Sequence, residues 1–448
     1  MGKCARRNHL RNPLTGEPTP LEATERSAMP KHRPRFRGRS IRATIAAMSV
    51  VAARSTLAKP DVPDLLARAS TIAELARERA QQTETDRRVG EDMIARMREM
   101  DLFRIMQPQA YGGFECGFDV FSQVVAAIAT GCGSTGWVYG LLASHQWLIA
   151  CFSREAQDEV WQDRSALVAG TYAPVGQAVA VDGGYRLSGT GSFCSGCDNA
   201  QWQLLGGMIP QPDGAAKPGF FLLRSTDCTI DDNWHTMGLA GTGSKNLVAR
   251  DAFVPVHRTL TFAELADATA PGMRTHPNPL YRQSFLAVLP ITIVSPVLGM
   301  AEGALADFLA MASVRTTRGA VAGGNRRMAE LTTVQMRVAE ASALIDAARL
   351  LMSRDLAEAY ASAVRGEAIS IDVRLRNRRD QAYCVRLLVQ AIDALFLAAG
   401  GQGLFLDKSL QRSWRDAHAA ASHISLNWDS TGSMYGQHML GLEPKGQY

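Results

Sequence analysis

Near Ala166 the hydrophobic pattern of this 448-residue chain changes period, and that change limits the folds open to it more than any other feature. Upstream, from about Asp61, apolar residues recur at helical spacing: Leu65, Leu66, Ile72 and Leu75. A second helix is expected through "GEDMIARMREMDLFRI", with Met93, Ile94, Met97 and Met100 forming one core-facing stripe. "QPQAYGGFECG" reads as a loop punctuated by Pro and Gly. "DVFSQVVAAIATGCGSTGWVYGLLASHQWLIACF" reads as two helices parted by a Gly/Ser break at 131–136. Both are apolar almost all round, so both should be buried.

From roughly 166 to 258 the texture is that of short strands, with "VDGGY" as a hairpin signal and turns at "PDG" and "GTGS". A small β-barrel or sandwich is expected there. After Pro290 the helices return and are longer, at 292–314, 328–365, 371–399 and 408–435, which implies an antiparallel bundle. The expected fold is mainly α with a central β-domain. Its divisions are a disordered basic extension over 1–57, a helical domain over 58–165, a β-barrel over 166–270 and a four-helix bundle over 271–448.

The net charge of +5 conceals an asymmetry. Residues 1–48 hold eleven Lys and Arg against three Glu, whereas the other 400 residues hold 37 basic and 40 acidic side chains. The mildly acidic remainder gives no footprint for nucleic acid. The basic arm, with five prolines and no periodicity, is expected to be disordered. A nucleic-acid arm and a targeting peptide are alternatives, and Met48 is a candidate true start. No apolar run is read as reaching the roughly 18 residues that span a bilayer, so no membrane insertion is expected. Eight cysteines without framework spacing suggest reduced thiols in the cytoplasm.

"GSFCSGCDN" contains a Cys-x-x-Cys, Cys194 and Cys197. A thioredoxin-type pair needs a helix after it, and "DNAQWQLLGGMI" reads as a strand. A zinc site needs about four ligands, and a lone Cys228 and His235 supply no set. Both sulfurs are therefore expected to pack in or near the barrel, and no metal site is expected.

The order of helices, strands and helices resembles the acyl-CoA dehydrogenase fold. Four segments in the same order carry the likeness: "PQAYGG", "GYRLSGTGSFCSG", "MGLAGTGSKNLVARDAFVP" and "LAAGGQGLFLDKSLQRSWRDA". The resemblance puts Phe193 where that family has a tryptophan beside the flavin, and Ser195 where it has a threonine facing flavin N5. It implies a flavin contact for Tyr172. Arg315 and Arg318, just before "GAVAGG", are candidates for a flavin phosphate, with an exposed helix end as the alternative. A dehydrogenase would place a glutamate at about 424, where this chain has Ile424. "ATGCGSTGWVYGLLASH" and "WRDAHAAASHISLNWD" are instead similar to the oxygenase components of two-component flavin monooxygenases.

That likeness implies the remaining expectations. Reduced flavin, FMN or FAD, would come from a separate NAD(P)H:flavin reductase, because no dinucleotide fingerprint follows a predicted strand. With O₂ it would form a C4a-hydroperoxide that hydroxylates a small phenol-like aromatic. By resemblance His145 would assist phenol deprotonation and His423, on the last helix, would hydrogen-bond the peroxide. Without the likeness, His145 on its apolar helix would read as a core residue. Ser144 and Trp147 are substrate-contact candidates, Trp137 is a pocket or core residue, and His418 and His235 are packing and loop residues. A homotetramer is implied. Acyl-CoA dehydrogenation, N- or S-oxygenation, and a basic-armed binding protein with an inactive core are the alternatives.

Overall fold

Asp61 begins the first helix by accepting the Asp64 backbone N–H, with Pro63 in the first turn, where its missing N–H costs nothing. The computed structural model describes residues 59–317 and 326–448. The basic arm and Arg318 lie outside the described residues.

Five helices come first: α1 (Val62–Asp86), α2 (Glu91–Glu99), α3 (Phe118–Ala129), α4 (Gly133–Cys151) and α5 (Arg154–Val160). The Met93, Ile94, Met97 stripe is buried, as the spacing predicts. In α4 every residue but Leu141 is buried, which is the structural meaning of a helix that is apolar all round.

Seven strands follow: β1 (Val168–Val181), β2 (Gly184–Cys194), β3 (Trp202–Pro210), β4 (Ala216–Arg224), β5 (Thr229–Asp231), β6 (Lys245–Pro255) and β7 (Thr259–Thr261). They form one sheet in the order β5-β6-β2-β1-β3-β4-β7, antiparallel except for the β1–β3 pair. The "VDGGY" signal is the β1–β2 hairpin: Val181 pairs with Gly184 across Asp182 and Gly183, whose φ of 74° needs a residue without a Cβ.

Short helices α6 (Phe262–Ala266), α7 (Pro271–Thr275) and α8 (Phe285–Val288) lead to α9 (Ile291–Val314), α10 (Thr332–Arg365), α11 (Ile371–Ala399), α12 (Ser409–Ala421) and α13 (Trp428–Met439). Helix α9 packs on α3, α4 and α11, so the bundle and the first helices share one core. Pro296 interrupts α9 and cannot donate to the Thr292 carbonyl. That carbonyl lies against Gly140 of α4, where a Cβ would stand 2.9 Å from it. Glycine is what lets the two helices approach so closely.

Two expectations need correction. The helix read over 408–435 is two helices, because capping side chains interrupt it: His423 accepts the Ser425 N–H and Asn427 accepts the Ser430 N–H. Backbone donors that a continuous helix would bond internally are taken by side chains instead. Residues 285–314 and 371–404 are also long and apolar enough to cross a membrane by length and composition, contrary to the sequence reading. In the first, 89% of the most apolar window is buried inside the protein, in keeping with a core helix.

One buried contact fastens the bundle to the strands. Asp416 of α12 accepts the Leu239 backbone N–H at 2.6 Å from the loop between β5 and β6. Burial raises its pKa to about 6 against the stabilising pull of that N–H, Arg415 and Arg412. An acid with a raised folded pKa holds its proton more tightly when folded, so its stabilising protonation is lost as pH rises from about 4 through 6. Asp416→Asn keeps an acceptor for Leu239 and carries no charge. Its melting temperature relative to the parent should therefore rise between pH 4 and 6.5, by an amount corresponding to roughly 2 kcal/mol, and level off above. Thermal unfolding of both proteins across that range checks it; a constant offset would refute it.

Candidate active site

The end of β2 is where the backbone departs from regular geometry. Between Gly191 and Cys194 the strand gains one residue on its partner β6, a bulge, and Phe193 within it has φ of 66°. The left-handed region costs a bulky residue about 1–2 kcal/mol. The chain then doubles back, with the Ser195 N–H donating to the Phe193 carbonyl at 3.0 Å. As a result the Phe193 ring is 67% exposed and stands edge-on to Trp234, while Ser195, two residues on, is buried.

Ser195 belongs to a chain of hydroxyls. Its Oγ lies 2.7 Å from Ser244 Oγ, which lies 2.6 Å from Thr242 Oγ1, which donates to the Leu239 carbonyl at 2.7 Å. From the other side, Trp137 Nε1–H of α4 donates to Ser195 Oγ at 3.2 Å. The Trp137 indole in turn neighbours the His423 ring, with centroids 6.1 Å apart. The α12–α13 break thus serves the site, for it sets His423 beside Trp137.

His423 accepts the Ser425 N–H on Nδ1 at 3.1 Å, so its neutral form carries the proton on Nε2. Burial, helped by the Arg378 cation, pulls its pKa down to about 4. Arg378 of α11 is itself enclosed, donating to the Ser425 carbonyl at 3.1 Å and to Gln381 at 2.8 Å. No carboxylate pairs with it among the described residues, and its Nε has no partner. Burial lowers its pKa to about 10, leaving it a cation at neutral pH.

About two turns along α4 from Trp137, His145 donates from Nδ1 to the Val168 carbonyl at 2.6 Å. Its Nε2 accepts the Tyr172 hydroxyl at 2.7 Å. Burial holds His145 near pKa 4, opposed by the Val168 contact. Burial also raises the Tyr172 phenol, with a smaller push from the Cys194 thiol, which places Tyr172 near the end of β2. Tyr172 packs edge-on against Phe220 and beside Phe285.

The structure thus brings His145 together with Tyr172, and Ser195 with Trp137 and His423. Ser144 and Trp147 are turned into the core: the Ser144 hydroxyl bonds the Leu141 carbonyl, and the Trp147 indole bonds the Leu280 carbonyl at 2.9 Å. Arg315, which ends α9, donates to the Ala399 carbonyl and lines a cleft of about 570 Å³ with Lys408, Gln402 and Ser409. Arg318 lies outside the described residues. Cys194 and Cys197 are both buried, beside Gln203 and the Gly243 carbonyl. His418 packs on Trp414, and His235 is an exposed loop residue near Arg87. Ile424, where a dehydrogenase carboxylate was sought, is 83% exposed. Thr242, Ser244 and Arg378 were missed from the sequence. The first two stood in a "GTGS" read only as a turn, and Arg378 was one of several arginines in "RLRNRRD".

Comparison with known proteins shows the family of the chain. Residues 66–166 match the acyl-CoA dehydrogenase N-terminal domain and 291–428 its C-terminal domain. Over 397 residues the chain is 47% identical to the oxygenase component of FADH(2)-dependent resorcinol hydroxylase from Rhizobium sp. (strain MTP-10005), covering 87% of this chain and 97% of that one. The chain belongs to the oxygenase components of the flavin-dependent monooxygenases. It is 39% identical to the oxygenase subunit HsaA of Rhodococcus jostii (strain RHA1), over 82% of this chain and 95% of that one. The crystal structure of 3-HSA hydroxylase from Rhodococcus sp. RHA1 superposes with a TM-score of 0.81, 37% identity and coverage of 86% and 99%. XiaF from Streptomyces sp., solved with FADH2 and glycerol, gives 0.79, 28%, and coverage of 86% and 97%. Like these oxygenases, the chain joins acyl-CoA dehydrogenase-type helical domains to a central sheet.

The donor set fits a reduced flavin of the kind this family uses. Phe193 offers an exposed ring, Ser195 a hydroxyl beside it, and His423 an Nε2–H with no protein partner among the described residues. Both histidines should remain neutral down to about pH 5, with opposite tautomers: Nδ1–H in His145 and Nε2–H in His423. Nitrogen-15 NMR of histidine-labelled protein checks this, and an imidazolium signal from either ring at pH 6 would contradict it.

Proposed function

We propose that this oxygenase component hydroxylates a small phenol, with reduced flavin delivered by a separate reductase, and that Ser195, His423 and the His145–Tyr172 pair form its working site. The observation that carries the reading is the convergence of Ser195 and His423 on the Trp137 indole, two residues on from the exposed Phe193. Bound reduced flavin supplies two electrons to O₂, so that one oxygen atom enters the substrate ring and the other leaves as water.

The residues of this chain have separate tasks. Phe193 and Tyr172 would hold the flavin, and Arg315, with Lys408 in the same cleft, suits a phosphate. Ser195 would accept a hydrogen bond from the flavin, and the neutral His423 would donate Nε2–H toward oxygen. Tyr172, whose proton is committed to His145, offers its oxygen to a phenol O–H. His145 is hard to protonate, so this pair orients the phenol and does not store its proton. The unneutralised Arg378 cation lies beside His423 and favours negative charge on the oxygen that His423 would face. The enclosure of these groups keeps water from competing for them.

The 47% identity to a resorcinol hydroxylase component makes resorcinol the first substrate to try. The free thiols of the described cysteines suit a cytoplasmic setting. The exposed Leu404, Phe405 and Leu406 on one turn suit assembly with further copies, as a tetramer.

With reduced FAD supplied by a flavin reductase and isotopically labelled dioxygen, resorcinol should gain one labelled oxygen atom. His423→Ala should lower product per reduced flavin by about a hundredfold while hydrogen peroxide release rises. Product analysis by mass spectrometry, with peroxide assayed in parallel, decides it. Full coupling in the variant would remove His423 from the site, and unlabelled product would overturn the oxygenase reading.

A further inference from the structure

The hydroxyl chain behind Ser195 has a fixed direction. It runs between a group that only donates, the Trp137 indole N–H, and one that only accepts, the Leu239 carbonyl. Three hydroxyls lie between them, and each has one proton. The Thr242 proton goes to Leu239, so the Thr242–Ser244 contact must use the Ser244 proton. The Ser244–Ser195 contact must then use the Ser195 proton. Trp137 fills one of the Ser195 lone pairs. Ser195 is left with no proton to give and one lone pair to offer.

We infer that the Thr242–Ser244 relay, closed by Trp137, makes this site selective for the redox state of the flavin. N5 of a reduced flavin carries a hydrogen and is a donor; N5 of an oxidised flavin is an acceptor. A serine with a free proton serves either form by rotating. Ser195, held as an acceptor, bonds the reduced form and sets one lone pair against another in the oxidised form. The relay is well placed to resist reversal, since Ser195, Ser244, Thr242 and Trp137 are all buried and water has little access to supply a substitute acceptor. Its far end is also fastened: the Leu239 carbonyl accepts the Trp234 indole N–H at 3.1 Å, and the Leu239 N–H bonds Asp416 at 2.6 Å. For an oxygenase component fed by a separate reductase, the consequence is that spent flavin leaves and fresh reduced flavin replaces it. Thr242 and Ser244 are positioning residues here, acting only through Ser195.

This inference rests on the reading of Ser195 as the hydroxyl that faces the flavin. The test measures dissociation constants for oxidised FAD in air and reduced FAD under anaerobic conditions, in the full chain and in Ser195→Ala, Ser244→Ala and Thr242→Val. In Ser244→Ala and Thr242→Val, the ratio of oxidised to reduced dissociation constants should fall by about tenfold, with oxidised FAD binding more tightly than before. The midpoint potential of bound FAD, read by spectroelectrochemistry, should fall in step, by about 30 mV for a tenfold change in a two-electron couple. A purely structural effect of these substitutions would weaken both forms in parallel and leave the ratio and potential in place, which would overturn the relay. If Ser195→Ala shifts the ratio but the relay variants do not, the relay fails and the site stands. If Ser195→Ala leaves both affinities unchanged, the flavin does not meet Ser195, and the reading of the site falls together with the relay.

Discussion

Helix α4 is buried on all sides, and the chemistry of the site follows from that enclosure. A helix without a wet face can carry polar side chains only where the protein itself satisfies them. Trp137 must find an acceptor, and Ser195 is that acceptor. His145 must place both ring nitrogens, and the Val168 carbonyl and Tyr172 hydroxyl take them. The same enclosure disfavours the charged imidazolium, which is why His145 and His423 are held neutral well below their usual range. Among hydroxyls in bulk water, proton direction averages out; between Trp137 and Leu239 it is fixed.

The parts that meet at α4 come from distant stretches of the chain. The β2 bulge presents Phe193 and Ser195, the loop after β5 brings Leu239, Thr242 and Ser244, and the α12–α13 break brings His423. Asp416 ties the second of these to α12 through a single backbone N–H. Trp234 links the Leu239 carbonyl to the Phe193 ring. The strained Phe193 backbone is thus supported from behind by a hydrogen-bonded loop. Strain of this kind persists only where neighbouring structure over-determines it.

Much of this was legible beforehand. The change of period at Ala166 located the sheet, the all-round apolarity of 133–151 announced a buried helix, and "VDGGY" marked the hairpin. The motif order pointed to Phe193, Ser195 and His423; the structure sets Ser195 and His423 against Trp137, and Phe193 against Trp234. Other readings failed for identifiable reasons. His423 was placed on a helix because Ala- and Ser-rich sequence keeps helical texture through residues 417–425, and capping by a histidine has no strong sequence mark. For Trp147 the pattern left pocket and core equally open; the structure packs its ring against Phe285, which also meets Tyr172, and ties the Ser144 hydroxyl to the Leu141 carbonyl. Arg378 is one of several arginines in "RLRNRRD", and nothing in that run marks the one that is buried without a carboxylate partner.

The sequence by itself determined the order of helix, sheet and bundle, the burial of α4, and which residue types stand at the end of β2. These are local matters, since period, turn chemistry and motif order are written in neighbouring residues. Only the tertiary structure decided where the Ser195 proton points, which nitrogen of His145 carries its proton, and that a lone guanidinium stands beside His423. Those properties depend on partners 23 to 58 residues away, such as Val168 for His145 and Trp137 for Ser195, and on the exclusion of water between them. Hydrogen-bond direction is a property of a closed set of donors and acceptors, and the set closes only when the chain has folded.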